Sequence, residues 1–213
     1  REVIMRLCLF VLLVLVVSTP GFADLIVNGS FETAGSAATN AIYWDTQIGG
    51  TVLASDQWGN GDRENWNTPP DGSWAYYLKG TWNGELDYGG IWQRVDGGLP
   101  NTEYTLSGSF YTDNGFSATT AFKLEFYDSV NTWLGSVTTN IVGNIPNAAW
   151  TTISMTTTSP VNTARMQVVF EMSGANASGV LGGDNFTLIP EPSSLALLVL
   201  AGAGFLISRV RRS

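Results

Sequence analysis

The sequence predicts an all-β protein in which two packed antiparallel sheets form one β-sandwich. Three observations carry this. Short runs between residues 24 and 189 alternate apolar and polar side chains with a period of two, the mark of a strand with one buried face. Gly, Asn, Asp and Pro separate those runs, and no long amphipathic helix interrupts them. The composition agrees: 24 glycines, 8 tryptophans and only 13 % charged residues suit a turn-rich β protein and not a disordered chain, which would be poor in aromatics.

Taken in order, the expected strands begin at 24–28. Trp74, Tyr76 and Leu78 alternate with Ala75, Tyr77 and Lys79. A strand at 90–95 follows. Tyr104, Leu106, Gly108 and Phe110 then alternate with Thr105, Ser107 and Ser109, and Phe122, Leu124 and Phe126 with Lys123 and Glu125. Strands at 132–139 and 150–156 precede Ala164, Met166, Val168 and Phe170, which alternate with Arg165, Gln167 and Glu171, and the last strand covers 184–189. The stretch 34–72, rich in Gly, Asn, Asp and Thr, reads as long loops holding one or two short strands. Residues 24–189 are enough for one domain with its own core.

The two ends read differently. Met5-Arg6, an apolar run from Leu7 to Val17, and the small-x-small site Gly21-Phe22-Ala23 make residues 1–23 a secretory signal peptide. Signal peptidase would cut between Ala23 and Asp24. The run is too short to span a bilayer comfortably. Residues 1–4 precede a plausible start at Met5, and Arg6-Leu7 before Cys8 does not suit a lipoprotein site.

At the other end, Pro190-Glu191-Pro192 breaks any preceding strand. An apolar stretch from Leu195 to Ile207 then leads to Arg209, Arg211 and Arg212, a pattern that predicts a transmembrane helix with its basic end held in the cytoplasm. A helix over 193–208 is about 24 Å long, shorter than the ~30 Å hydrocarbon core, which suits transient membrane insertion. An ordinary single-pass anchor is the alternative.

Charge and missing residue types exclude several functions. The chain carries a net charge of −8, and between Asp24 and Ile189 there are 5 Lys+Arg against 16 Asp+Glu. Nucleic acid is therefore not an expected partner. The only cysteine is Cys8, inside the leader, and there is no histidine. A mature body of 24–189 thus has no disulfide, no Ser-His-Asp or Cys-His machinery and no His-ligated zinc. Asp62 with Glu64, and Glu85 with Asp87, are neighbours two apart and do not show the facing carboxylates of a glycosidase. The reading is of a non-enzyme. Asn28-Gly29-Ser30, Asn176-Ala177-Ser178 and Asn185-Phe186-Thr187 fit the N-glycosylation pattern and are read as accidental matches.

Pro190-Glu191-Pro192-Ser193-Ser194, the apolar helix with Gly202 and Gly204, and the arginine cluster resemble the PEP-CTERM sorting signal across 189–213. That resemblance implies an exosortase as partner, processing near Pro190-Glu191-Pro192, and delivery to the cell surface or extracellular matrix. It also implies a Gram-negative host that makes exopolysaccharide, as in biofilms.

The body carries a second resemblance. Leu25-Ile26-Val27-Asn28-Gly29-Ser30-Phe31-Glu32 opens it; Gly90-Ile91-Trp92-Gln93-Arg94-Val95 and Leu99-Pro100-Asn101-Thr102-Glu103-Tyr104-Thr105-Leu106-Ser107 hold its centre. Trp150-Thr151-Thr152-Ile153, 163–171 and Gly183-Asp184-Asn185-Phe186-Thr187-Leu188 close it. In this order they resemble the galactose-binding-like jelly roll, most nearly carbohydrate-binding modules of families 4 and 9. The resemblance implies a structural Ca2+ between the first and last strands, with Glu32 and Asp184 at the matching positions. The alternative is that the two carboxylates cap turns or sit in water.

Six tryptophans fall between Trp44 and Trp92. Trp44, Trp58, Trp66 and Trp82 lie in polar, loop-like sequence beside Asp45, Gln57, Asn65, Asn67 and Asn83. They either stack on sugar rings, as aromatic planes do on apolar C–H faces, or cover the end of the sandwich. An exported, exosortase-processed protein that does no catalysis is the leading reading. Exopolysaccharide binding is the second, and a small glycoside-active enzyme the third.

Overall fold

The computed structural model describes residues 23–35, 41–50, 61–79, 86–175 and 178–191. The described residues contain ten strands: β1 (Asp45–Gly50), β2 (Asp62–Glu64), β3 (Ala75–Leu78), β4 (Leu86–Asp96), β5 (Glu103–Thr112), β6 (Thr119–Tyr127), β7 (Trp133–Thr139), β8 (Thr151–Thr158), β9 (Arg165–Ala175) and β10 (Leu181–Pro190). They form two five-stranded antiparallel sheets, β1-β4-β9-β6-β7 and β2-β3-β10-β5-β8. Residues 24–189 make one compact unit. Of the other unit, 1–23 and 190–213, only Ala23, Pro190 and Glu191 are described. The expected leader and the expected transmembrane helix thus lie outside the described residues, and among those described no helix is long and apolar enough to cross a membrane.

The core lies between the sheets and follows from the alternation. Ile91 and Val95 of β4, Phe122, Leu124 and Phe126 of β6, and Met166, Val168, Phe170 and Met172 of β9 are buried from the first sheet. They meet Tyr104, Leu106 and Phe110 of β5 and Leu181, Phe186 and Leu188 of β10. Asn185 sits at φ 51°, a left-handed residue inside β10. It re-aims the strand, so that Leu181 before it and Phe186 and Leu188 after it all enter the core.

The segment 24–28 does not form the expected strand. One backbone bond ties it to β10, from Leu25 N–H to the Leu188 carbonyl at 2.9 Å. Side chains do the rest. Asp24 Oδ1 accepts from Ile26 N–H and Leu188 N–H, and the buried Gln93 amide accepts from Val27 N–H and donates to the Val27 carbonyl, both at 2.8 Å. Asn28 and Phe31, each at φ 56°, then turn the chain before a ladder can extend.

The second sheet is covered on its outer face as well. Ala75, Tyr77 and Val180 form a small second cluster under Trp66 and Trp150. Trp150 Nε1 donates to the Asn67 carbonyl at 2.8 Å, and the Tyr77 hydroxyl donates to the Trp66 carbonyl. Burial on both faces explains why β3 is apolar throughout instead of alternating.

Candidate functional site

Two places in the described residues are built from the residue types that bind ligands. The first is the turn around Asp71–Trp74, where Phe31-Glu32 from the opening of the body meets β10. Glu32 Oε1 accepts from Ser73 N–H at 2.8 Å and Trp74 N–H at 2.7 Å. Gly72, at φ +74°, lets this turn close: a Cβ there would lie 2.4 Å from Glu32 Cδ. The buried Arg63 braces the same turn, donating to the carbonyls of Phe31 and Glu32 while its guanidinium stacks 3.8 Å from the Trp74 ring centroid.

Asp184 lies on the other side of the turn, wholly buried. Its Oδ2 accepts from Asp71 N–H at 3.0 Å, but its Oδ1 has no hydrogen-bond partner. Burial pushes its carboxyl up to about 7, and the Asp71 and Glu32 charges push the same way against the N–H donors of Asp71 and Asn185. A buried carboxylate with one bare oxygen needs a proton or a cation. This fits a hard, oxygen-seeking ion. Among the described residues no three His, Cys, Asp or Glu side chains gather as a metal cluster, so most ligands would have to be backbone carbonyls and water, which calcium accepts. Glu32 itself caps the turn.

The second place is the outward face of β1-β4-β9-β6-β7. Register places its side chains in rows across the strands. Trp133, Tyr127, Arg165 and Asp96 stand opposite one another in turn, as do Glu125, Gln167 and Arg94, and then Lys123, Val169 and Trp92. Tyr88 lies further along β4 and donates to Glu171 at 2.7 Å. Trp133 is 59 % exposed. The Tyr127 hydroxyl donates to Glu125 at 2.7 Å, and burial together with that carboxylate raises the phenol to about 12. The face therefore combines rings with amides, carboxylates and guanidinium groups, the mixture that recognises polyhydroxylated ligands.

Of the four tryptophans expected to stack on sugar, the two that are described lie away from this face. Trp44 is buried: its ring packs 5.3 Å from Phe31 and 5.7 Å from Phe186, and its Nε1 donates to the Asn28 carbonyl. That removes it from any exposed stacking surface. Trp66 is partly buried against Tyr77 at 5.5 Å, with Lys79 Nζ 4.7 Å from its ring. Trp58 and Trp82 lie outside the described residues, as do Pro192, Arg209, Arg211 and Arg212 of the expected sorting tail. Asp62 and Glu64 both pair with the buried Lys79, at 3.2 and 3.0 Å, which makes them an ion-pair cluster.

Sequence reasoning passed over Trp133, Arg94 and Arg165. The alternation of β4, β6 and β9 already assigns Arg94, Tyr127 and Arg165 to the outward set. What was missing is the register that makes them neighbours.

Comparison with known proteins bears on both the tail and the body. Residues 188–212 match the PEP-CTERM protein-sorting motif. The chain matches no curated protein by sequence. Among solved structures, the family 61 carbohydrate-binding module in complex with β-1,4-galactotriose is 17 % identical, covers 79 % of this chain and 99 % of its own, and superposes with a TM-score of 0.53. A family 16 carbohydrate-binding module is 19 % identical, covers 78 % and 99 %, and gives 0.54. The enzymatically active domain of bacteriophage CBA120 tailspike protein 4 gives 0.61 at 16 % identity, covering 79 % of this chain, which spans 21 % of that one. At these identities the likeness is one of fold. The chain thus joins a PEP-CTERM protein-sorting motif to an all-β jelly-roll body with the fold of carbohydrate-binding modules.

Proposed function

We propose that this chain is an exported, non-catalytic surface or matrix protein whose tail is processed by an exosortase, and whose body holds a glycan on the outward face of β1-β4-β9-β6-β7. The observation that carries the first part is the match at 188–212, which marks an exported, sorted protein. Expressed in a host that has an exosortase, the chain should lose its C-terminal tail, and Glu191→Gln should keep it. A C-terminal epitope tag followed by immunoblotting reads this directly. Equal processing of the variant and the parent would overturn the role given to Pro190-Glu191-Pro192.

The glycan reading is supported by Trp133, Tyr127 and Trp92 standing with polar side chains on one sheet of a fold shared with carbohydrate-binding modules. The pairing of Asp62 and Glu64 with Lys79 ties up that carboxylate pair and favours binding over hydrolysis. Residues 24–191 contain every described strand and both buried clusters, so they carry their own core. This body should bind at least one polysaccharide on a broad glycan array. Trp133→Ala should weaken binding about tenfold, the cost of roughly 1.4 kcal/mol of stacking. Release of reducing sugar by the body would instead favour the glycoside-active reading.

A structural calcium belongs to the same proposal. Asp184 would supply a carboxylate oxygen, with backbone carbonyls beside it, pinning the start of the body to β10.

A further inference from the structure

The body holds five cationic side chains: Arg63, Lys79, Arg94, Lys123 and Arg165. Arg63 and Lys79 are buried near β2 and β3. The other three all stand on the outward face of β4, β9 and β6, in an otherwise strongly acidic body. Lys123 is paired with Glu171. Arg94 and Arg165 are arranged differently, because the two guanidinium groups share their acceptors. Both Nε atoms donate to Asp96 Oδ1 at 3.2 Å. Both also donate to Asn131 Oδ1, at 3.0 Å from Arg94 and 2.6 Å from Arg165. Two guanidinium groups thus share one hydrogen-bonded carboxylate and one neutral amide, with the Asp128 carboxylate of the adjoining turn acting on Arg165 through space.

The arrangement is built in advance. Asn131 sits at φ 69° in the β6–β7 turn. Asp128 Oδ1 locks that turn by accepting from Val130 N–H and Thr132 N–H, and Arg165 also donates to the Ser129 carbonyl at 3.1 Å. Beside the pair lies a pocket of about 150 Å³, lined by Arg94, Tyr127, Asn131, Arg165, Met166 and Gln167. No acidic side chain lines it. It is smaller than the roughly 300–1,000 Å³ of a site that swallows a whole ligand, so it takes one group of a larger one. Each guanidinium has five N–H donors, more than these bonds use, held in the planar fork that suits a carboxylate.

We propose that this pocket receives the carboxylate of an acidic sugar, so that the body selects uronic-acid polysaccharide over neutral glycan. This rests on the glycan reading of the same sheet face and specifies its ligand class. Trp133 and Tyr127, in the same row, would stack on the sugar rings on either side.

The test uses the body of residues 24–191 with trigalacturonate and with the same trisaccharide after its carboxyls are reduced to alcohols, followed by isothermal titration. Trigalacturonate should bind at least tenfold more tightly, and its advantage should shrink as salt rises from 20 to 300 mM. In the double variant Arg94→Gln, Arg165→Gln the ratio between the two ligands should fall to about one. The comparison of ligands on the unaltered protein stands even if that variant misfolds. Equal affinity for acid and reduced forms would overturn the inference while leaving the glycan reading in place. Binding of neither form, together with silence across the glycan array, would overturn both.

Discussion

Replacing Phe186 by alanine is expected to destabilise the sandwich by about 3–5 kcal/mol, the range for truncating a buried aromatic. Phe186 is 1 % exposed and meets five rings, two from the opening segment and one each from β5, β6 and β9. Phe31 lies at 5.3 Å, Trp44 at 5.7 Å, Phe110 at 5.5 Å, Phe122 at 4.8 Å and Phe170 at 5.5 Å between centroids. The ring therefore joins both sheets to the opening segment. Gly108 is shaped for it: a Cβ there would meet Phe186 Cδ1 at 2.6 Å. The cavity cannot close by small shifts, because its walls are themselves large rings held by the ladders. Val161, 65 % exposed, is a suitable control, and its change to alanine should stay within about 0.5 kcal/mol. Urea unfolding of the two variants measures the difference. A loss near 1 kcal/mol for Phe186→Ala would show that the core repacks and that the ring is no hub.

How much of this was legible beforehand depended on each segment's own patterning, since the edge strands β7 and β8 were expected from the sequence and the edge strands β1 and β2 were not. β5, β6 and β9 lie inside their sheets, bury one face and show the alternation plainly. β1 and β2 are edge strands, paired on one side with β4 and β3. Edges need little apolar patterning, so Thr46-Gln47-Ile48-Gly49-Gly50 and Asp62-Arg63-Glu64 resembled loop. Trp44 failed as an exposed candidate for a related reason. Its neighbours are polar, but the turn at 41–44 folds under the sandwich, and nothing local records that.

The candidate sites show the same division. Glu32 and Asp184 came from a motif at each end of the body, and the structure brings both to the Asp71–Trp74 turn. The arginine pair could not be found that way. Arg94, Asn131 and Arg165 are separated by 37 and 34 residues, and only the pairing of β4 with β9 and β9 with β6 makes them adjacent. Register is long-range information, fixed by which face each strand buries.

The largest solution effect should come from Asp184. Its carboxyl titrates near 7 in the folded body against 3.8 ordinarily. Below about pH 4 the group is protonated in both states and contributes nothing. Between 4 and 7 the folded chain keeps a proton that the unfolded chain releases, so stability falls as pH rises, and above 7 the full penalty stands. Its upper bound is about 4 kcal/mol. In chelator, the melting temperature of residues 24–191 should therefore drop as the buffer moves from pH 4 to pH 7. Calcium works in the opposite direction, because it binds the ionised carboxylate. Its stabilisation should be negligible at pH 4, grow through the same window, and depend on its concentration as expected for a ligand of the native state alone. Asp184→Asn removes the charge but keeps an acceptor for Asp71 N–H. The variant should melt higher than the parent in chelator at pH 7.5 and gain little from calcium. A parent whose melting temperature ignores both pH and calcium would mean that the bare Oδ1 is met by something other than a proton or a cation. An ordered water with donors to spare would do it, and the start of the body would then be held to β10 by Asp24, Gln93 and the Glu32-capped turn alone.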